Sequence, residues 1–284
     1  MNQGNLPTAV LGRTGLKVTR LGYGSGHRKP MDDNQRNKIL NAVLDSGINL
    51  IDTAISYGNS EELIAKFIGH RRSDYYIATK GHIWNKKGIT ENLHDSLRRL
   101  QTEYVDILQL HGPSVNECES GELVQALNEI REQGKVRWIG ISTNLPHLPT
   151  FIDWNVFDIF QIPYSALERN HENLISKAAN SGAGILIRGG VALGEPGIGT
   201  GNTDQWANFE KAGLDELREY KETRTAWMLR FTLTHPDTHT NIVGTTDTEH
   251  LNENVASIMR GPLSQEVYQE ACRRLDSIDI SPNK

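Results

Sequence analysis

Cysteine is nearly missing from this chain: Cys118 and Cys272 are the only two in 284 residues, and they stand far apart in unrelated contexts. With no CxxC spacing, neither a disulfide framework nor a thiolate metal site organises the fold, and a reducing cytoplasm is the expected setting. No apolar run approaches the ~18 residues a membrane span needs. Positive charge is not in excess either. Lys and Arg number 30 against 35 Asp and Glu, a formal net charge of -5, whereas a nucleic-acid binder usually carries a basic stripe. The opening residues Met1 to Pro7 lack a basic n-region and an apolar h-region, so no secretory signal is expected. No Pro/Gly/Ser-rich linker or abrupt charge shift divides the chain, so residues 1–284 read as one domain. That length is somewhat above the roughly 250 residues typical of a single (β/α)8 barrel.

What the chain does have is alternation. Short apolar runs bounded by polar residues or glycine recur at 19–24, 49–52, 75–79, 105–110, 137–141, 157–161, 184–188 and 240–243. Such runs suit parallel strands buried on both faces. Helical spacing of apolar residues fills 33–45, 61–68, 90–100, 123–132 and 225–233, with Ser60 as a candidate N-cap and Gly47, Gly69 and Gly134 as stops. Eight strands with helices between them predict an α/β fold, a (β/α)8 TIM barrel, although a doubly wound sheet gives the same alternation. Two short runs around Arg13-Thr14-Gly15 predict an N-terminal β-hairpin that plugs the far end of the barrel. The stretch from Gly189 to Asn202 is too rich in glycine for a stable element and reads as a binding loop or lid. Its Gly197, Gly199 and Gly201 do not meet the GxGxxG spacing, and no strand leads directly into it, so a dinucleotide fingerprint is rejected.

Four polar residues stand near the ends of the first apolar runs after the hairpin: Asp52, Tyr57, Lys80 and His111. If the runs are neighbouring barrel strands, all four face one mouth. Singly, each has a plain structural reading, as a loop cap, a packed tyrosine, or an exposed lysine or histidine. Together they form a proton-transfer set. A phenol holds its proton too tightly for easy donation and return at neutral pH, and a nearby ammonium favours the phenolate. A carboxylate keeps that ammonium charged and in place, and an imidazole orients a carbonyl oxygen or relays a proton.

The order of these residues also resembles a known family. The segments Asp52-Thr-Ala-Ile-Ser-Tyr57, Ala78-Thr-Lys80 and Ser96 through His111 are similar to aldo-keto reductase signatures. The likeness continues through Gly134 to Ser142, the Gln161 segment and Ile242 to Asn254, nearly the whole chain in register. The resemblance implies a (β/α)8 barrel that reduces an aldehyde or ketone with a nicotinamide cofactor, usually NADPH. It makes Tyr57 the general acid in reduction and the base in oxidation, Lys80 with Asp52 its activating pair, and His111 the group that orients the carbonyl.

The resemblance further implies cofactor contacts. Gln161 matches the nicotinamide carboxamide partner, and Ser142 matches as well, followed by Thr143 and Asn144 where Asn-Phe is commoner. Arg188 takes the place of an aromatic that stacks on the nicotinamide, and a guanidinium plane can stack on a ring. Gly24 and Ser25, Asp52, and Gly189 and Gly190 complete the inner part. At the adenosine end Gly244, Thr245, Thr246 and His250 replace the Lys-Ser and downstream Arg of several relatives, so NADP(H) is favoured and NAD(H) remains open. Glu253 and Asn254 match the adenine contacts. Trp84 is a candidate wall of the substrate pocket beside Tyr57 and His111, the alternative being a packed core tryptophan. The chain ends soon after Leu275, without the long C-terminal loop of some relatives, so an open pocket for small carbonyl substrates is expected. The expected assembly is a monomer or small homo-oligomer with no nucleic-acid, membrane or metal partner. Two other classes are weighed. A cofactor-binding, redox-sensing regulatory subunit would keep the same four residues and turn over slowly. A metal-dependent barrel hydrolase would use Asp52 and His111 with His82 or His171, but the HxH spacing is absent and Tyr57 and Lys80 would have no role.

Overall fold

Eight parallel strands close on themselves in a computed structural model that describes residues 5–26, 31–118 and 121–282. The leader reading of the first residues rests partly on 1–4, which lie outside that range. Strands β1 (Thr8–Val10) and β2 (Lys17–Thr19) pair antiparallel as the expected hairpin. The barrel strands are β3 (Leu21–Gly24), β4 (Leu50–Asp52), β5 (Tyr76–Gly81), β6 (Val105–His111), β7 (Val136–Ser142), β8 (Ile159–Pro163), β9 (Gly184–Arg188) and β10 (Thr240–Val243). They lie in chain order around the ring, β10 pairing with both β3 and β9. A doubly wound sheet has open edges, so this closure decides between the two readings.

Successive side chains of a strand point to opposite faces, and the inward positions sort by height. Leu50, Ala78, Ile107, Ile159, Leu186 and Ile242 form one inner apolar cluster. The hairpin's Leu11, Leu16 and Val18 join that cluster from below. Arg13 N donates to the Gly182 carbonyl at 2.7 Å, just ahead of β9. The approach is so close that a Cβ on Gly12 would lie 2.4 Å from the Ala183 carbonyl carbon. The hairpin therefore plugs the N-terminal end of the barrel. Two positions further along their strands, the inner residues are polar: Asp52, Lys80, Gln109, Gln161 and Arg188. Outward-facing residues such as Ile51, Ile77, Leu108 and Ile139 pack against the helices in a second, larger core.

Several boundaries differ from the expected ones. The run at 19–24 is split: Thr19 closes the hairpin and the barrel strand starts at Leu21. Strands β5 and β6 continue through Lys80 and His111, because backbone pairing does not stop where the apolar pattern does. Ser60 is not a cap. It is the first residue of the helix Ser60–Ile68, and its hydroxyl donates to Ser25 Oγ at 2.8 Å. The helix Asp33–Asp45 gains a capping box from Asp32 and Gln35. Helices Leu148–Trp154, Glu172–Asn180, Thr203–Lys211, Thr248–Arg260 and Gln265–Asp276 add to the five expected. Residues 189–202 form turns and one isolated bridge between Pro196 and Gly199. Among the described residues, no helix is long and apolar enough to cross a membrane.

Candidate active site

The polar layer centres on Asp52. Its strand β4 is only three residues long, and Ser25 secures its end: Ser25 N and Oγ donate to the Asp52 carbonyl at 2.8 and 3.0 Å. The carboxylate is buried and fully engaged. Lys80 Nζ donates to Oδ2 at 2.6 Å, while Gln161 Nε2 and Gln109 Nε2 donate to Oδ1 at 2.9 and 3.2 Å. Lys80 is 1% exposed and gives a further hydrogen bond to the Thr53 carbonyl at 2.9 Å. A buried ammonium is tolerated only when paired and hydrogen-bonded, and both conditions are met here.

Tyr57 sits in the turn after β4, half-buried, with its ring 5.2 Å from Lys80 Nζ. His111, at the end of β6, meets that ring edge-on at 5.8 Å between centroids. A Cβ on Gly26 would fall 2.6 Å from a Tyr57 ring carbon, so the glycine makes room for the phenol. Burial, and next the Lys80 charge, push the His111 imidazole down to about 4, so it is neutral at physiological pH. Ser56 Oγ lies 3.5 Å from its Nδ1, and its Nε2 has no hydrogen-bond partner among the described residues. The geometry brings the four sequence candidates together: a phenol beside a fixed cation, with a neutral imidazole across from it.

Arg188 ends β9 at the same mouth. Its guanidinium forms no hydrogen bond or ion pair among the described residues, and burial lowers its pKa while the charge of Glu168 opposes that. No surface carboxylate pairs with it among the described residues. Trp84 is half-buried against the outer core with its indole N–H buried and unpartnered among the described residues. His82 is exposed, and the buried His171 accepts from Leu145 N at 3.2 Å, so neither joins Asp52 and His111. Among the described residues, no group of three or more His, Cys, Asp or Glu side chains is placed to hold a metal ion.

A cleft of about 330 Å³ starts at Gly26 beside Tyr57 and runs between the 189–202 turns and the start of the helix Thr248–Arg260. Gly189, Gly244, Thr245, Thr246, His250, Glu253 and Asn254 line it. The remaining expected cofactor residues do not. Gly24, Asp52, Ser142 and Arg188 end the strands below, Gln161 lies in the middle of β8, Thr143 is buried after β7, and Asn144 is exposed. Ser25 is spent on Asp52 and Ser60, and Gly190 packs on Asn241, whose Oδ1 would be 2.9 Å from a Cβ there. Five glycines stand in the lining of the cleft, and its Gly26 end lies beside the Tyr57 ring.

Three participants escaped the sequence reading. Gly26 was hidden because its importance lies in what it lacks. Asp247 caps the helix Thr248–Arg260, accepting from Glu249 N at 2.7 Å, and puts a carboxylate on the cleft wall. Gln109 did leave a signal, as the one amide in the apolar run at 105–110.

The Aldo/keto reductase family model matches residues 20–276, and the chain belongs to that family. Among solved structures it resembles aldo-keto reductase AKR11C1 from Bacillus halodurans in its holo form. The TM-score is 0.84 at 26% identity, covering 95% of this chain and 96% of that one. Aldo-keto reductase YhdN of Bacillus subtilis is 31% identical over 73% of this chain and 67% of its own length. The NADH-specific methylglyoxal reductase of Escherichia coli is 28% identical over 87% of this chain and 92% of its own length.

Proposed function

We propose that this chain, as one barrel domain, reversibly reduces a small aldehyde or ketone to the alcohol with a nicotinamide cofactor. One observation carries the reading. The Lys80 ammonium is held 2.6 Å from Asp52 and 5.2 Å from the Tyr57 ring, next to the Gly26 end of the cleft. A nicotinamide cofactor, when bound, would supply the hydride for the carbonyl carbon. Tyr57 gives its hydroxyl proton to the carbonyl oxygen, and Lys80 stabilises the phenolate left behind. Asp52 keeps Lys80 charged and fixed, and the neutral His111 donates a hydrogen bond to the same carbonyl oxygen. In oxidation Tyr57 takes the proton back from the alcohol.

The adenosine end supports NADH as well as NADPH. Among the described residues that line the cleft none is Lys or Arg, while Asp247 and Glu253 contribute two carboxylates against His250. A 2′-phosphate would bring about two more negative charges to that wall. The relative from Escherichia coli is named for NADH, which agrees with this reading. Parallel fluorescence titrations with NADH and NADPH, followed by turnover of methylglyoxal and simple aldehydes, test both parts. Binding of either cofactor with turnover is expected, NADH at least as tight. Binding with negligible turnover would favour a redox-sensing subunit, and binding of neither would end the reading.

A further inference from the structure

Gln109 is an uneconomical residue for its place. It stands on the inner face of β6, between Ile107 below and His111 above, wholly buried. Its Nε2 donates to Asp52 Oδ1 at 3.2 Å, and its Oε1 is buried with no partner among the described residues. A leucine would fill the same volume without stranding an oxygen, so packing alone does not explain an amide. The surroundings are shaped around it. Gln109 is the Cα partner of Lys80 on one side and of Gly140 on the other. A Cβ on Gly140 would lie 2.9 Å from the Ile159 carbonyl oxygen and 3.2 Å from Gln109 Cγ, so the glycine clears room for the neighbouring strand and for the amide together.

We infer that Gln109 is a positioning residue that fixes the Asp52 carboxylate, and through it the Lys80 ammonium, under the reacting phenol. The orientation of the amide follows from charge. An ionised Asp52 accepts from three donors, Lys80 on Oδ2 and the two glutamines on Oδ1, and a flipped Gln109 would set oxygen against oxygen. Gln161 belongs to the layer that the family resemblance assigns to the cofactor. Gln109 has no such second duty. It holds Oδ1 whichever way Gln161 turns, so the ion pair stays aligned with and without a bound dinucleotide.

This inference rests on the reductase reading above. The test pairs Gln109→Met, which keeps the volume and removes the donor, with Gln109→Glu, whose protonated carboxyl donates the same hydrogen bond. In Gln109→Met, kcat is expected to fall about tenfold, with KM for the cofactor and the melting temperature little changed. The pH at which the alcohol-oxidation rate rises should move upward. In Gln109→Glu, turnover should be poor at neutral pH and recover toward wild type as the pH falls. In the cofactor-free protein, the infrared carboxylate stretch assigned by difference to Asp52→Asn should shift in Gln109→Met. Variants with wild-type kcat, pH profile and infrared band, altered only in melting temperature, would show a packing role and overturn the inference. Should Gln109→Met not fold, the pH-dependent recovery of Gln109→Glu decides alone, and its absence is refuting. A wild-type protein without any turnover would instead overturn the reductase reading, and the inference with it.

Discussion

Lys80→Met isolates the charge that the proposed chemistry depends on. Methionine keeps the length and most of the volume of the buried lysine and removes only the ammonium. The structure sets the size of the effect. At 5.2 Å from the Tyr57 ring centroid and an effective dielectric near 20, a unit positive charge stabilises a phenolate by about 3 kcal/mol. That amount is roughly two decades in equilibrium, and with partial proton transfer in the transition state about one to two decades in rate. The assay is kcat for both directions across pH, beside cofactor affinity measured by fluorescence. The expected result is a loss of about 10- to 100-fold in reduction, with the rising limb of oxidation displaced to higher pH by up to about two units. Cofactor affinity should stay within a few-fold, because Lys80 is buried beneath the cleft rather than lining it. Asp52 keeps Gln109 and Gln161 as donors in this variant, so the protein should still fold. A Lys80→Met enzyme with wild-type kcat and an unmoved oxidation limb would refute the idea that the ammonium activates Tyr57.

Other perturbations read other parts of the site. Tyr57→Phe should lower reduction by at least about 10²-fold while leaving cofactor titration close to wild type, and near-normal turnover would remove Tyr57 as the acid. Gly26→Ala places a methyl 2.6 Å from a Tyr57 ring carbon. The ring must shift, and kcat should drop about 10- to 100-fold without loss of fold, as near-normal kcat would mean that the turn simply yields. His111 and His171 both sit at about 4, below the ordinary 6.5, because burial disfavours their charged forms. Between pH 6.5 and 4 the unfolded chain therefore binds protons that the folded chain does not. Stability should be full above pH 6.5 and fall steadily toward pH 4, by several degrees of melting temperature, and a flat melting curve over that window would contradict the burial argument.

The barrel was legible because its two periodicities are clean: short apolar runs for strands buried on both faces, and helical spacing between them. The four central residues were legible because their spacing along the chain is carried by fixed strand and loop lengths. What could not be seen has a common physical character. Strand ends were cut short where polar residues begin, since Lys80 and His111 continue the backbone ladder while breaking the apolar pattern. Ser60 looked like a cap because its neighbours are helical, yet a three-dimensional partner, Ser25, claims its hydroxyl. Gly12, Gly26 and Gly140 act by clearing space for a residue distant in sequence, and such absences leave no local trace.

The same reasoning explains why the chemistry lies where it does in the barrel. The inner apolar cluster and the hairpin seal the N-terminal end, so a charge placed one layer higher is cut off from water on one side only. Asp52 and Lys80 occupy that layer and satisfy each other, while Tyr57 and His111 stand above them, half-exposed to the mouth. A charge pair set lower, among Leu50, Ala78 and Ile107, would be equally buried but too far from any substrate to act. Set higher, it would be hydrated and its field on the phenol screened. The layer of Asp52, Lys80 and Gln109 is the depth at which an ion pair can be both dry enough to matter and close enough to be felt.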